Sequence, residues 1–154
     1  MVNSVDISAS GIEPPGWTEK LHGFCMRALT EIGATNWEVS VVLCDDPFIR
    51  ELNQRYRGKD EPTDVLSFGQ EGPEWVAADK GAGNFVAGDI VISLDSMREN
   101  ARTFNVDEEE ELKRLLIHGF LHLSGMDHAD NSPQEPMIAY QERVLSELTE
   151  EHIF

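Results

Sequence analysis

The run Gly88-Asp89-Ile90-Val91-Ile92-Ser93-Leu94 constrains this chain more than any other stretch. It has the length of a strand and almost no polar face, the pattern of a central strand rather than an edge. Elements of two periods interleave around it. Val5-Asp6-Ile7 alternates as a short first strand would. Trp17, Leu21, Phe24, Ala28, Leu29 and Ile32 recur at spacings of three and four, the apolar stripe of a helix closed by Gly33. Trp37, Val39, Val41 and Leu43 alternate with Glu38, Ser40 and Val42 as a half-buried strand does. Asp45 or Asp46 caps a second helix, with Pro47 near its first turn and Phe48, Leu52 and Tyr56 at helical spacing. Gly58 to Thr63 reads as a loop, Val65-Leu66-Ser67-Phe68 as a short buried strand, and Gly69 to Gly83 as a surface excursion. A short helix is predicted from about Asp95 to Thr103. The acidic stretch Asp107 to Glu111 opens a longer helix carrying Leu112, Leu115, Leu116, Phe120 and Leu123, because carboxylates suit the N-terminal end of the macrodipole. Gly125 ends it. After a loop at Met126 to Pro136, Met137, Tyr140, Val144, Leu145 and Leu148 mark a last helix. This order argues for one mixed β-sheet with helices packed on it.

At 154 residues the chain has the length of a single domain, 1–154, and 40% hydrophobic residues suffice for its core. The charge is less ordinary: a formal net charge of −17 repels phosphate backbones at long range, which excludes non-specific coating of nucleic acid. Contact at one local site is compatible with it. Cys25 and Cys44 have no C-x-x-C spacing and read as small hydrophobes. No basic segment followed by an apolar core stands in Met1 to Pro15, and no stretch has the roughly 20 apolar residues of a membrane span. The expected address is the cytoplasm, with no membrane partner.

The chemistry concentrates in Ile117-His118-Gly119-Phe120-Leu121-His122-Leu123-Ser124-Gly125-Met126-Asp127-His128. Residues four apart share a helix face, so His118 and His122 can aim both imidazoles at one point. Gly125 permits a tight turn that returns His128 towards them. A histidine pair alone is ordinary packing or surface. A third histidine after a glycine turn instead describes a transition-metal site, with zinc as the expected ion, one per chain, and the fourth position open as in catalytic sites. His22 and His152 have no such company and read as ordinary residues. The frame H-x-x-x-H-x-x-G-x-x-H is shared with one class of metalloproteases, whose general base follows the first histidine. Here that position holds Gly119, so peptide hydrolysis by that route is disfavoured. Asp127 either accepts the outer N–H of a ligand ring or simply forms the turn.

A second segment, Arg55-Tyr56-Arg57-Gly58-Lys59-Asp60-Glu61-Pro62-Thr63-Asp64, concentrates basic residues in an acidic chain, with Arg50 just upstream. An anion would be tolerated there. Asp60, Glu61 and Asp64 partly offset the charge, so solvated ion pairing fits the spacing equally well.

Together, H-G-F-L-H-L-S-G-M-D-H, Y-R-G-K-D-E-P-T-D-V-L-S-F and G-D-I-V-I-S, followed by Met137 and Gln141-Glu142, resemble the YbeY family from about Trp37 onward. The resemblance implies an α+β fold with a mixed sheet and a zinc site on a helix beside a cleft. It implies a zinc-dependent, single-strand-specific endoribonuclease acting in 16S ribosomal RNA 3′-end maturation and ribosome quality control. Carried over by position, His118, His122 and His128 would be the zinc ligands and Arg57 the catalytic arginine; Arg55 and Lys59, beside it in the basic segment, are candidate RNA-phosphate contacts. Given the acidic surface, ribosomal proteins or an assembly GTPase are the implied recruiters. Two alternatives stand beside this reading: another zinc hydrolase, and a ribosome-assembly binding factor whose metal is structural.

Overall fold

Strand β4 (Phe85–Ser93) lies inside a four-stranded sheet, as its apolar run demands. The structure is a computed structural model that describes residues 2–69 and 85–154. In chain order the elements are β1 (Ser4–Ser10), α1 (Thr18–Glu31), β2 (Trp37–Cys44), α2 (Asp46–Arg57), β3 (Val65–Phe68), β4, α3 (Leu94–Phe104), α4 (Glu108–Leu123) and α5 (Pro136–Glu147). The sheet order is β1-β2-β4-β3; β1 and β4 run parallel to β2, and β3 runs antiparallel to β4. This is the mixed sheet and α+β architecture expected from the sequence. The excursion expected at Gly69 to Gly83 lies, apart from Gly69, outside the described residues.

Alternate residues of the strands feed two cores. Val39, Val41, Leu43, Ile90 and Ile92 pack with residues of α1, α4 and α5. Val42, Cys44, Val91, Leu66 and Phe68 pack on the other face with Ile49 and Leu52 of α2. The half-buried character expected of β2 is therefore corrected: Val39 through Cys44 are all buried, because α2 covers the face that the alternation had assigned to solvent. The stripe of α2 is corrected too. Its buried residues are Ile49, Leu52 and Asn53, while Tyr56 is exposed. Asn53 is buried for a polar reason, since its amide donates to the Glu61 carbonyl at 2.9 Å and holds the loop after α2. Both cysteines are buried as expected, and burial pushes the Cys44 thiol up to about 12.

Two glycines are required where chain segments approach closely. A Cβ on Gly88 would run into the carbonyl oxygen of Phe68, at a register shift between Glu38 and Val39 of β2. A Cβ on Gly119 would sit 2.9 Å from Cδ1 of the fully buried Ile90, so its absence lets α4 lie directly on β4.

The chain end is fastened to α4 by Glu109. Its carboxylate accepts the N–H groups of Ile153 (2.8 Å) and Phe154 (3.0 Å) and faces the His152 ring, while Phe154 packs on Trp17. Burial alone would raise this carboxyl, but those two N–H groups, His152 and Lys113 outweigh it and hold it down to about 2. A carboxyl depressed on folding adds stability that is present above its unfolded value of about 4.5 and is lost as pH falls towards 2. Glu109→Gln is expected to cost about 1–2 kcal/mol at neutral pH, because charge-assisted hydrogen bonds are replaced by weaker ones. The loss should shrink at pH 3. Melting curves of both proteins at the two pH values check this, and an equal loss at both would remove the clamp from the account.

Candidate metal centre and adjoining cleft

Helix α4 runs as far as Leu123, so His118 and His122 stand one turn apart on it, with ring centroids 4.7 Å apart and Nε2 atoms 3.1 Å apart. The chain then turns. Gly125, at φ +101°, donates its N–H to the His122 carbonyl and Met126 donates to Leu121, which closes the helix and reverses direction. His128 returns to lie 5.0 Å from the His118 ring and 5.2 Å from the His122 ring. One nitrogen from each of the three falls within 4.8 Å of the others, a triangle small enough for a single ion.

The outer faces of two rings are anchored. His118 Nδ1 lies 2.7 Å from Gln141 Oε1, and His128 Nδ1 lies 2.9 Å from the Asp130 carbonyl oxygen. Both partners accept, so both Nδ1 atoms carry hydrogen, which in a neutral ring leaves the lone pair on Nε2. Burial, the first cause, lowers the pKa of His118 below its ordinary value, against the opposing effect of Gln141. His122 is lowered by burial and then by the other two histidines. Neutral imidazoles with inward lone pairs are what a transition-metal ion takes as ligands, so the residues fit the group.

Asp127 fills the turn-forming role. Its Oδ1 accepts the N–H of His128 at 2.8 Å and its charge also acts on the His122 ring, while the outer nitrogens of His118 and His128 face Gln141 and Asp130. Sequence reasoning passed over Gln141, although it stands in the Gln141-Glu142 pair of the last helix. The other two histidines sit apart, His22 exposed on α1 and His152 against Glu109.

On one side the centre opens into a cleft of about 440 Å³ lined by Arg57, Ser67, His118, Gly119 and His122, among others. Arg57 is the last residue of α2, which Gly58 ends in the left-handed conformation. Its Nη2 donates to the Ser67 carbonyl at 3.0 Å, and its guanidinium lies 4.9 Å from the Phe68 ring centroid. The α2 terminus and β3 thus hold it beside the histidines. Arg50 pairs with Asp60 at 2.9 Å, which is the ion pairing that the sequence left open. Among the described residues no carboxylate pairs with Arg55, Arg57 or Lys59, and all three are exposed. On the other side of the centre a larger cavity, about 730 Å³, is lined by His118 and His128 with Asp64, Asn100, Arg114 and Gln141.

Gly119, the position of the protease base, faces Ile90 and also lines the smaller cleft. A glutamate there would meet the core before it met a water molecule. Gly119→Glu is expected to destabilise the domain by about 1–3 kcal/mol through overpacking and to give no peptide hydrolysis. Chemical denaturation and a casein-cleavage assay check it; a stable variant that cleaves casein would contradict the packing argument.

No helix among the described residues is long and apolar enough to cross a membrane. The sequence matches the family described as Endoribonuclease YbeY over residues 8–149. Proteins named Endoribonuclease YbeY include one from Treponema pallidum, 50% identical over 146 residues, covering 95% of this chain and 90% of that protein. Another, from Treponema denticola, is 47% identical over 156 residues, covering 100% of this chain and 99% of the relative. The solution structure of TM1509 from Thermotoga maritima superposes with a TM-score of 0.57 at 31% identity, covering 96% of this chain and 90% of the other. With the matched segment containing strands β2 to β4, the histidine frame and Arg57, this chain belongs to the YbeY endoribonuclease family.

Proposed function

We propose that residues 1–154 form one zinc-dependent, single-strand-specific endoribonuclease domain acting in 16S ribosomal RNA 3′-end maturation and ribosome quality control. The observation that carries this reading is the shared cleft, in which an arginine with no carboxylate partner among the described residues lies beside two of three convergent imidazoles. His118, His122 and His128 would hold the zinc ion, and such an ion supplies Lewis-acid activation of water and of a phosphoryl oxygen. Arg57 offers paired N–H donors to the non-bridging phosphate oxygens, where charge builds in the transition state. Arg55 and Lys59, exposed on the same α2 terminus and its loop, would meet neighbouring phosphates. A stacked duplex is stiffer and wider, which favours single strands.

The net charge of −17 opposes capture of RNA from a distance. Recruitment by ribosomal proteins or an assembly GTPase would supply the missing affinity, with the cytoplasm as the place of action. The reading is tested by cleavage of a single-stranded RNA and a matched duplex by zinc-loaded protein, with and without a chelator. Metal-dependent cleavage confined to the single strand is the expected result. Absence of any cleavage at full zinc occupancy would favour a ribosome-assembly binding factor with a structural metal.

A further inference from the structure

Gln141 is buried on α5, 5% exposed, and its side-chain amide is fixed at both ends. Its Nε2 donates to Glu142 Oε2 at 2.9 Å, and an ionised carboxylate can only accept. The amide oxygen must therefore face the other way, towards His118 Nδ1 at 2.7 Å. Glu142 is itself held by two bonds from Arg114, at 2.9 and 3.1 Å. Arg114 is tied in turn to Glu110 at 2.9 Å and to the buried Glu111 at 3.0 Å. Asn100 continues the chain by donating to Glu111 at 3.3 Å and to Asp64 at 2.9 Å. Turning the amide over would set its NH2 against the ring N–H and its oxygen against Glu142, so the surrounding network selects one orientation.

We infer that Gln141 is a positioning residue of the histidine centre: it fixes His118 as the Nδ1–H tautomer, so that Nε2 presents its lone pair to an ion shared with His122 and His128. The 3.1 Å separation of the His118 and His122 Nε2 atoms places both nitrogens close enough to face one ion. The inference rests on the metal-binding reading of the three histidines. Arg114 and Glu142 act through Gln141 and touch no ligand ring in the hydrogen bonds described.

The test uses the full chain in two measurements. Long-range ¹⁵N–¹H correlation spectra of the metal-free protein report the His118 tautomer, and competition with a chromophoric chelator reports zinc affinity. In Gln141→Met, which keeps the volume but removes the acceptor, His118 should shift towards the Nε2–H form, and zinc should bind about 10-fold to 100-fold more weakly. Gln141→Glu keeps the acceptor, so it should retain the Nδ1–H form and bind zinc more tightly than the Met variant. A purely packing role predicts the reverse ranking, since an added carboxylate beside Glu142 disturbs the interior more than methionine does. Should the Met variant fail to fold, Glu142→Gln serves instead. It relaxes the orientation of the Gln141 amide, and His118 should then populate both tautomers. Zinc uptake by wild type with an unchanged tautomer and affinity in the variants overturns the role of Gln141. A wild type that takes up no zinc overturns the metal reading itself, and the purpose assigned to Gln141 with it.

Discussion

Alanine in place of His122 is expected to leave the protein folded, without a tightly held divalent ion, and without nuclease activity. His122 sits in the last turn of α4, half-buried, facing the other two histidines, with a further hydrogen bond to the Met126 backbone. The same turn is anchored by Leu121 and Phe120, whose side chains lie in the main core. Removing the imidazole therefore takes away one nitrogen of the candidate centre and little packing. The two remaining imidazoles, His118 and His128, hold an ion far less firmly than three would. Activity should fall by about 1,000-fold or more, because metal activation supplies several kcal/mol of the barrier. Occupancy in the wild type should also depend on pH in a definite direction. Ligating imidazoles are neutral, and burial holds His118 and His122 below their ordinary value of 6.5, so the site stays filled at neutral pH and empties below about 6. Metal analysis after dialysis at pH 7.5 and pH 5, for wild type and His122→Ala, measures both effects. Full occupancy in the variant would place the ion elsewhere.

The histidine frame was legible because helix periodicity and a glycine turn are local. Positions 118 and 122 share a face by arithmetic, and Gly125 marks where the chain may reverse. The sheet was legible for a similar reason, in that a run such as Ile90 to Ile92 has no solvent face to offer. What could not be read was any property set by a partner distant in sequence. Burial of Val42 depends on α2 crossing the second face of the sheet. Arg57 meets the histidines only because β3 pairs antiparallel with β4 and its Ser67 carbonyl catches the guanidinium. Gln141 lies 23 residues from His118, and nothing in the spacing of α5 marks it as different from any buried polar residue. Gly119 was legible as a missing base but not as a packing residue, since Ile90 fills the space only once α4 lies on β4. Asp127 adjoins His128 in the chain, and its carboxylate accepts the His128 N–H within the turn.

Arg57→Ala is expected to slow RNA cleavage by about 100-fold or somewhat more, roughly 3 kcal/mol in the barrier, while zinc occupancy and melting temperature stay close to wild type. Phosphodiester cleavage places added negative charge on the non-bridging oxygens in the transition state, and a metal ion neutralises only part of it. The Arg57 side chain is exposed, donates to two backbone carbonyls and pairs with no carboxylate among the described residues, so little of the fold depends on it. Its position is nevertheless defined, because Gly58 ends α2 directly behind it and the Phe68 ring supports the guanidinium at 4.9 Å. Arg57→Lys separates charge from shape. The ammonium keeps the positive potential that attracts the strand but lacks the planar fork matched to two phosphate oxygens. Lysine should therefore restore much of the binding lost in the alanine variant and little of the turnover, a split between KM and kcat that general electrostatic attraction would not produce. The measurement is steady-state cleavage of a single-stranded RNA by zinc-loaded protein at low and moderate salt, with the matched duplex as control. Equal turnover in wild type and Arg57→Ala, with His122→Ala inactive, would reduce Arg57 to a solvated surface charge and leave the histidine centre to act without it. Equal turnover in all three would assign the cleavage to a contaminant.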